Sequence, residues 1–199
     1  MIQFTDMTGL ASSTVAMIAV AIVLPGIPRL STLYRIGLAC AVAVVALVPF
    51  GTLPLAAYLR GIIGDLSIVS MILLLSAILN RLAGCQLLDA QNRFALLALV
   101  ALAALGLYPL ALGIGTFDPY RLGYGNIWFM SVLLVVALIA CFRQLQAMAL
   151  VIALAVFAWD VGWYESTNLW DYLLDPLLAI YAICALVKRG TQVQQKQPS

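Results

Sequence analysis

Three polar residues near the carboxyl end of the chain have the spacing of a shared helical face. Asn168, Asp171 and Asp175 stand at positions i, i+3 and i+7 within the segment 159–176, so a helix beginning at Asn168 would carry all three on one side. At about 1.5 Å per residue, Asp175 would lie roughly 10 Å inside this helix. A carboxylate at that depth needs a partner, which makes the face a candidate binding site. The adjacent Pro176 predicts a kink.

Aromatic residues and a further acid accompany this face. Trp163, Trp170 and Tyr172 are expected to offer cation–π surfaces, and a short connection separates them from Asp160 at the end of the preceding apolar run. The pattern predicts an acidic, aromatic-walled pocket that binds a cation, a proton or an amine-bearing group. The alternative is structural, because acids favour the first turns of helices and Trp and Tyr favour membrane interfaces.

The segment 58–67 is a second candidate. It contains the end of a short interfacial helix that is predicted over residues 53–63. Asp65 precedes an apolar run and is predicted to cap the helix that follows. Arg60 is predicted either to extend to the membrane interface or to bind lipid phosphate.

The segment 117–125 is a third candidate. An Asp-Pro dipeptide and two glycines indicate a tight turn. This turn presents Arg121, which is predicted to pair with a neighbouring carboxylate or with a ligand phosphate.

The rest of the chain is strongly apolar. Of its 199 residues, 65% are hydrophobic and 9% are charged, whereas soluble domains typically carry about a quarter charged residues. About 20 apolar residues suffice to cross a bilayer. We therefore predict an all-α integral membrane protein, a compact bundle of about seven transmembrane helices formed by residues 1–190, followed by a short disordered cytoplasmic tail at 191–199. The predicted spans are 9–28, 34–50, 65–82, 93–112, 126–142, 145–161 and 169–187.

The distribution of charge predicts the orientation of this bundle. Basic residues are enriched in cytoplasmic connections, and of the ten in this chain only Arg60 and Arg121 fall on the other side, together with seven of the eight acids. The amino terminus is therefore predicted to be external and the carboxyl terminus cytoplasmic, in a bacterial inner membrane. The basic residues on the predicted cytoplasmic side are Arg29, Arg35, Arg81, Arg93, Arg143, Lys188, Arg189 and Lys196.

Histidine and paired cysteines are missing from the sequence. Without histidine, His-ligated haem, His-containing zinc sites and His-based catalysis are excluded. The four cysteines form no C-x-x-C motif, which disfavours a zinc or thioredoxin-like site. We predict no cofactor, no metal site and no nucleic-acid partner.

Three functions are compatible with these features, and the lipid bilayer is a partner in all of them. The first is binding or transport of a small cationic or amine-bearing ligand, or of protons, by the external pocket. The second is a non-catalytic accessory or scaffold subunit that contacts another membrane subunit of an envelope-biosynthesis or respiratory complex. The third is an enzyme acting on a lipid-linked substrate at the outer leaflet, with Asp65, Asp171 or Asp175 as general base. Arg60 or Arg121 would then bind the substrate phosphate. The sequence favours the non-enzymatic functions.

Overall fold

The computed structural model describes residues 4–23 and 31–195, and within them the chain is predominantly helical, as predicted. A 3-10 helix, Pro119–Gly123, precedes α6, and two short strands, β1 (Pro49–Phe50) and β2 (Leu53–Pro54), form a hairpin before α3. The α-helices of the described residues are α1 (Phe4–Val23), α2 (Thr32–Leu47), α3 (Leu55–Ile63), α4 (Ile68–Ala83), α5 (Ala90–Ala111), α6 (Ile127–Phe142), α7 (Gln146–Asp160), α8 (Trp170–Leu173) and α9 (Pro176–Gln195).

Seven of these helices overlap the seven predicted apolar runs, and two of the described helices have the length and composition to cross a membrane. These two are α1, with 20 residues, and α5, with 22 residues. The apolar helices α2, α4, α6 and α7 have 15 or 16 residues, fewer than the ~20 of a typical span. The count of seven spans therefore stays a prediction. The end of the first predicted span, Arg29 and Lys196 lie outside the described residues.

The polar segment between the hairpin and α4 differs from its prediction in one respect. The expected short helix is present as α3, and it ends before Gly64, whose φ is +75°. The predicted cap of the next helix, Asp65, is wrong. The N-cap of α4 is Ser67, whose side chain accepts a hydrogen bond from the backbone N–H of Ser70. Asp65 instead binds a nearby guanidinium group, Arg60, which offers a stronger, charge-assisted partner than a backbone amide.

The seventh predicted helix is interrupted near its start. The one-turn helix α8 ends at Leu173, and Leu174 is extended, with φ −146° and ψ 135°. Proline disfavours helical geometry in the residue before it and is well suited to the first position of a helix, so α9 begins at Pro176. The prediction that Asn168, Asp171 and Asp175 share one helical face is therefore wrong, and Asp175 precedes α9 rather than lying inside it.

The carboxyl end of α9 also differs from its prediction. This helix continues to Gln195, so residues 191–195 are helical although the sequence predicts a disordered tail. Residues 196–199 lie outside the described part of the chain.

The helices pack around one large apolar core and one small one. The large core contains side chains from every helix between α4 and α9, inclusive. Within it, α5 packs on α9 and α6 packs on α7. The small core joins α1, α2 and α4 around Ala19, Ile22 and Ile78. Because α5 and α9 run antiparallel, the end of α5 and the start of α9 meet at one end of the molecule, together with the segments that carry the candidate residues.

Candidate functional site

A cavity of about 310 Å³ lies where the start of α9 meets the end of α5. We call it the acidic cavity. Three of the predicted site residues, Asp65, Asp171 and Asp175, line it together. Its lining residues are Asp65, Tyr108, Tyr164, Ser166, Asp171, Leu174, Asp175 and Pro176.

Asp175 is a buried carboxylate, 4% exposed, that is held by four donors. Its Oδ1 accepts from the backbone N–H of Leu178 at 2.8 Å, which caps α9. Its Oδ2 accepts from the backbone N–H and hydroxyl of Ser67, at 3.0 and 2.7 Å, and from the hydroxyl of Ser70. A buried charge is costly unless it is hydrogen-bonded, and these four bonds satisfy the carboxylate. They also connect the first turn of α4 to the first turn of α9 through the side chain of Asp175.

Asp171 is half-buried and accepts hydrogen bonds from two neutral hydroxyl groups. The hydroxyl of Tyr120 lies 3.0 Å from both of its oxygens, and the hydroxyl of Ser166 binds Oδ2. Burial, and then the charge of Asp171, raise the pKa of Tyr120, so that Tyr120 remains a donor. Among the described residues, Asp171 forms no ion pair, so no described cation neutralises its charge at the cavity.

Asp65 belongs to a cluster of charges around Arg60. The guanidinium Nε and Nη2 of Arg60 lie 2.6 and 2.9 Å from the two oxygens of Asp65, in a bidentate pair. Asp6 on α1 lies 3.5 Å from Nη1, and Glu165 lies 3.3 Å from Nη2. The hydrogen bond to Asp65, followed by the charges of Asp65 and Glu165, raises the pKa of Arg60. Arg60 is thus directed to carboxylates of this chain, an ion-paired arrangement that the sequence did not predict for it, and its roles at the membrane interface or toward lipid phosphate stay predictions.

Gly9 on α1 allows this cluster to form. A Cβ atom at this position would lie 2.3 Å from Nε of Arg60 and 2.6 Å from Oδ1 of Asp65. Only a glycine lets the guanidinium group approach the backbone of α1 so closely. Helix α1 therefore packs directly against the ion pair between Arg60 and Asp65, of which Asp65 lines the acidic cavity.

Two tyrosines that the sequence did not single out also line the cavity. Tyr164 is 3% exposed, and its hydroxyl lies near Ser12 without a hydrogen-bond partner of normal geometry in the part of the chain that the structure describes. Burial, and then the charge of Asp65, raise the pKa of Tyr164, so this hydroxyl keeps its proton. Tyr164 and Ser166 fall inside the segment 159–176 that the sequence marks, whereas Tyr108 at the end of an apolar helix gave no comparable signal.

Tyr172 supports the cavity wall from behind. It is fully buried, and its hydroxyl accepts from the backbone N–H of Tyr164 at 3.1 Å and donates to the carbonyl of Ser166 at 3.0 Å. Its ring lies 5.4 Å from that of Tyr164. Tyr172 therefore fixes the connection between α7 and α8 and is not a lining residue.

Asn168 and Trp170 attach α8 to the 3-10 helix. The side-chain amide of Asn168 donates to the carbonyl of Tyr120 at 3.0 Å and accepts from the backbone N–H of Trp170 at 2.9 Å. The indole N–H of Trp170 donates to the carbonyl of Pro119, and its ring stacks on Phe129 at 4.4 Å. These two predicted site residues pack against protein and do not line the acidic cavity.

Three other predicted site residues lie outside the cavity. Asp160 is exposed at the end of α7. Trp163 packs edge-on against Phe4 of α1, with ring centroids 5.5 Å apart. Arg121 is exposed and forms no ion pair with any described residue, so its predicted internal pairing is wrong; the cation that pairs is Arg60.

Gly123 offers a test of how tightly Asn168 is seated. A Cβ atom at Gly123 would lie 1.7 Å from Oδ1 of Asn168, so Gly123→Ala is expected to lower the free energy of unfolding by about 1–3 kcal/mol through overpacking. Gly61→Ala in α3 is the control, because nothing lies within 4 Å of its Cβ position. It is expected to be neutral or stabilising by about 0.5–1 kcal/mol. Thermal unfolding of both purified variants checks the prediction, and equal melting temperatures would contradict it.

Within the described residues, no three His, Cys, Asp or Glu side chains are arranged to hold a metal ion. Comparison of the chain with protein-family models, with curated proteins and with solved structures finds no significant match. The function is therefore inferred from the side chains of the cavity.

Proposed function

We propose that this chain is a multi-pass membrane protein whose acidic cavity binds a cationic or amine-bearing ligand, or protons. The observation that carries the proposal is the meeting of Asp65, Asp171 and Asp175 in one cavity. Arg60 pairs with Asp65, and no described cation pairs with Asp171 or Asp175, so these two carboxylates give the cavity a formal charge of −2. A cavity with this charge and with walls of low dielectric constant attracts a compensating cation.

The three carboxylates differ in how many hydrogen bonds and ion pairs they already form with the protein. Asp175 already accepts four hydrogen bonds from the protein, and Asp65 forms a bidentate pair with Arg60. Asp171 is held by two hydroxyl groups only. We therefore infer that Asp171 provides the charge that faces the ligand. Tyr164 lines the cavity and provides part of an aromatic wall, which suits an ammonium group.

Placement in a membrane is supported by the exposed surface of the helices. Helix α6 buries Phe129 and Ala140 but exposes eight large apolar side chains, among them Trp128 at 77% and Phe142 at 84%. Water-soluble proteins rarely expose contiguous apolar surface on this scale, whereas lipid is a favourable solvent for it. With the one-sided distribution of basic residues, this surface supports a multi-pass protein of a bacterial inner membrane, with the amino terminus external.

The other two functions have less support in the geometry. An accessory subunit would use an exposed apolar face, and α6 offers one, but a scaffold needs no acidic cavity. An enzyme acting on lipid-linked substrates would need Arg60 or Arg121 for phosphate, yet three carboxylates already surround Arg60, and Arg121 does not line the acidic cavity. Binding of a cation, by contrast, agrees with the observed negative charge of the cavity.

Uptake of methylammonium by proteoliposomes tests the proposal. Loss of one charge-assisted contact costs about 1.5–3 kcal/mol, so Asp171→Asn is expected to reduce saturable uptake about tenfold or more. Asp160→Asn removes the same charge from an exposed position and is expected to match the unsubstituted protein. Equal uptake by all three would contradict a ligand site at Asp171.

A further inference from the structure

A second cavity lies at the other end of the α5 and α9 pair. It has a volume of about 260 Å³, and about 15 residues of α5 separate it from Tyr108 of the acidic cavity, a distance of roughly 20 Å along the helix. We call it the basic cavity. Its lining residues are Ala90, Arg93, Phe94, Leu97, Tyr181, Ala185, Leu186 and Arg189.

Two arginines hold fixed positions at the rim of the basic cavity. Arg93 of α5 donates a hydrogen bond to the hydroxyl of Tyr181 on α9. The guanidinium carbon of Arg189 lies over the ring of Phe94, 4.2 Å from its centroid. Both side chains thus reach across from one helix to the other, and each is oriented by an aromatic partner.

Neither arginine is neutralised by a carboxylate. Among the described residues, no Asp or Glu lies within ion-pair distance of Arg93 or Arg189. The acid closest in sequence, Asp89, caps α5 by accepting from the backbone and side-chain N–H groups of Asn92 at 2.6 and 3.0 Å. Lys188 adds a further positive charge beside Arg189. The cavity therefore combines at least two unpaired cations with an apolar floor.

We propose that the basic cavity binds the phosphate headgroup of an anionic phospholipid. Guanidinium groups form bidentate hydrogen bonds with phosphate, and basic pockets between helices on the cytoplasmic side of a membrane suit anionic headgroups. Beyond the cavity, α5 exposes further apolar side chains, Leu102 by 71% and Leu105 by 62%. The acyl chains of a lipid can contact them. The inference rests on placement in a membrane and is independent of the acidic cavity.

Native mass spectrometry of the purified full-length protein tests this inference. The protein is incubated with equimolar phosphatidylglycerol and phosphatidylcholine, and the retained lipid is counted for the unsubstituted protein, for Arg93→Gln with Arg189→Gln, and for Arg81→Gln with Arg143→Gln. The last pair is the control, because it removes the same charge from arginines that do not line the basic cavity. Thermal unfolding identifies any variant that is not folded, and Arg93→Lys with Arg189→Lys gives a second folded form for comparison.

The expected result is preferential retention of phosphatidylglycerol by the unsubstituted protein and by the control. Loss of both guanidinium groups is expected to reduce this retention at least tenfold, and the double lysine variant is expected to be intermediate because it keeps the charge without the bidentate geometry. Equal retention by the Gln pair, or an equal loss in the control, would overturn the proposal. Displacement of the lipid by inorganic phosphate at equal concentration would also overturn it, since a free phosphate would then suffice.

Discussion

Asp175→Ala is expected to lower the free energy of unfolding by about 3–4 kcal/mol, the largest effect of any substitution in the acidic cavity. The change leaves the backbone N–H groups of Ser67 and Leu178 without their acceptor, together with the hydroxyl groups of Ser67 and Ser70. Each buried donor left unsatisfied costs about 1–3 kcal/mol, and loss of a helix cap costs about 1 kcal/mol. Water entering from the cavity recovers part of this cost.

Thermal or denaturant unfolding in detergent checks this prediction against two other variants. Asp175→Asn keeps one oxygen acceptor and nearly the same shape, so its loss of stability is expected to be about half as large. Asp160→Ala removes an exposed carboxylate and is expected to change the free energy by less than about 0.5 kcal/mol. If Asp175→Ala proved as stable as Asp160→Ala, the hydrogen bonds that connect α4 to α9 through Asp175 would not stabilise the fold.

Arg60→Gln is expected to lower the free energy of unfolding by about 2 kcal/mol. Removing one partner of a buried ion pair costs about 3–5 kcal/mol, but the side chains of Asp6 and Glu165 are 41% and 61% exposed, so water compensates for part of the loss. Asp65, 22% exposed, bears most of the effect because it loses two hydrogen bonds at once. The corresponding decrease in melting temperature is about 4–8 °C for a chain of this length.

Arg121→Gln is the matched control for this substitution. It makes the same chemical change at the other arginine that the sequence assigns to the external side, where the side chain is exposed and unpaired in the described structure. Its melting temperature is expected to stay within about 1–2 °C of the unsubstituted protein. Equal effects of the two substitutions would show that the cluster around Arg60 does not stabilise the fold.

The positions of the long helices could be predicted from the sequence because their signal is local. Apolar runs bounded by glycine, proline and charged residues locate α2, α4, α5, α6 and α7 to within a few residues. Turn chemistry is local as well, and Asp118 indeed accepts from the backbone N–H of Tyr120 at the start of the 3-10 helix. The predicted concentration of acids also led to Asp65, Asp171 and Asp175, three of the cavity residues.

The roles of individual site residues depend on partners that are distant in the sequence. Asp175 is bonded to Ser67, 108 residues away, and Arg60 reaches Glu165, 105 residues away. Asn168 and Trp170 look like ligands in the sequence because they are polar or aromatic, yet both bind the backbone of the 3-10 helix. Helical spacing could not reveal these bonds, since Pro176 breaks the helix on which that spacing was counted.

The two cavities give the α5 and α9 pair opposite charges at its two ends. Asp171 and Asp175 lie at one end, and Arg93 and Arg189 lie at the other. This polarity agrees with the predicted orientation, in which acids face outward and bases face the cytoplasm. In the proposed membrane orientation, a ligand cation and a lipid anion would bind on opposite sides of the membrane, at sites near the two ends of this helix pair.

Equilibrium binding of putrescine to the purified protein, measured by calorimetry, tests cation binding at the acidic cavity most directly. The account predicts saturable binding by the unsubstituted protein and by Asp160→Asn, at least tenfold weaker binding by Asp171→Asn, and no competition from 1,4-butanediol, a neutral diol of similar size. Binding that is unchanged in Asp171→Asn, or that the diol displaces as well as an amine does, would contradict it.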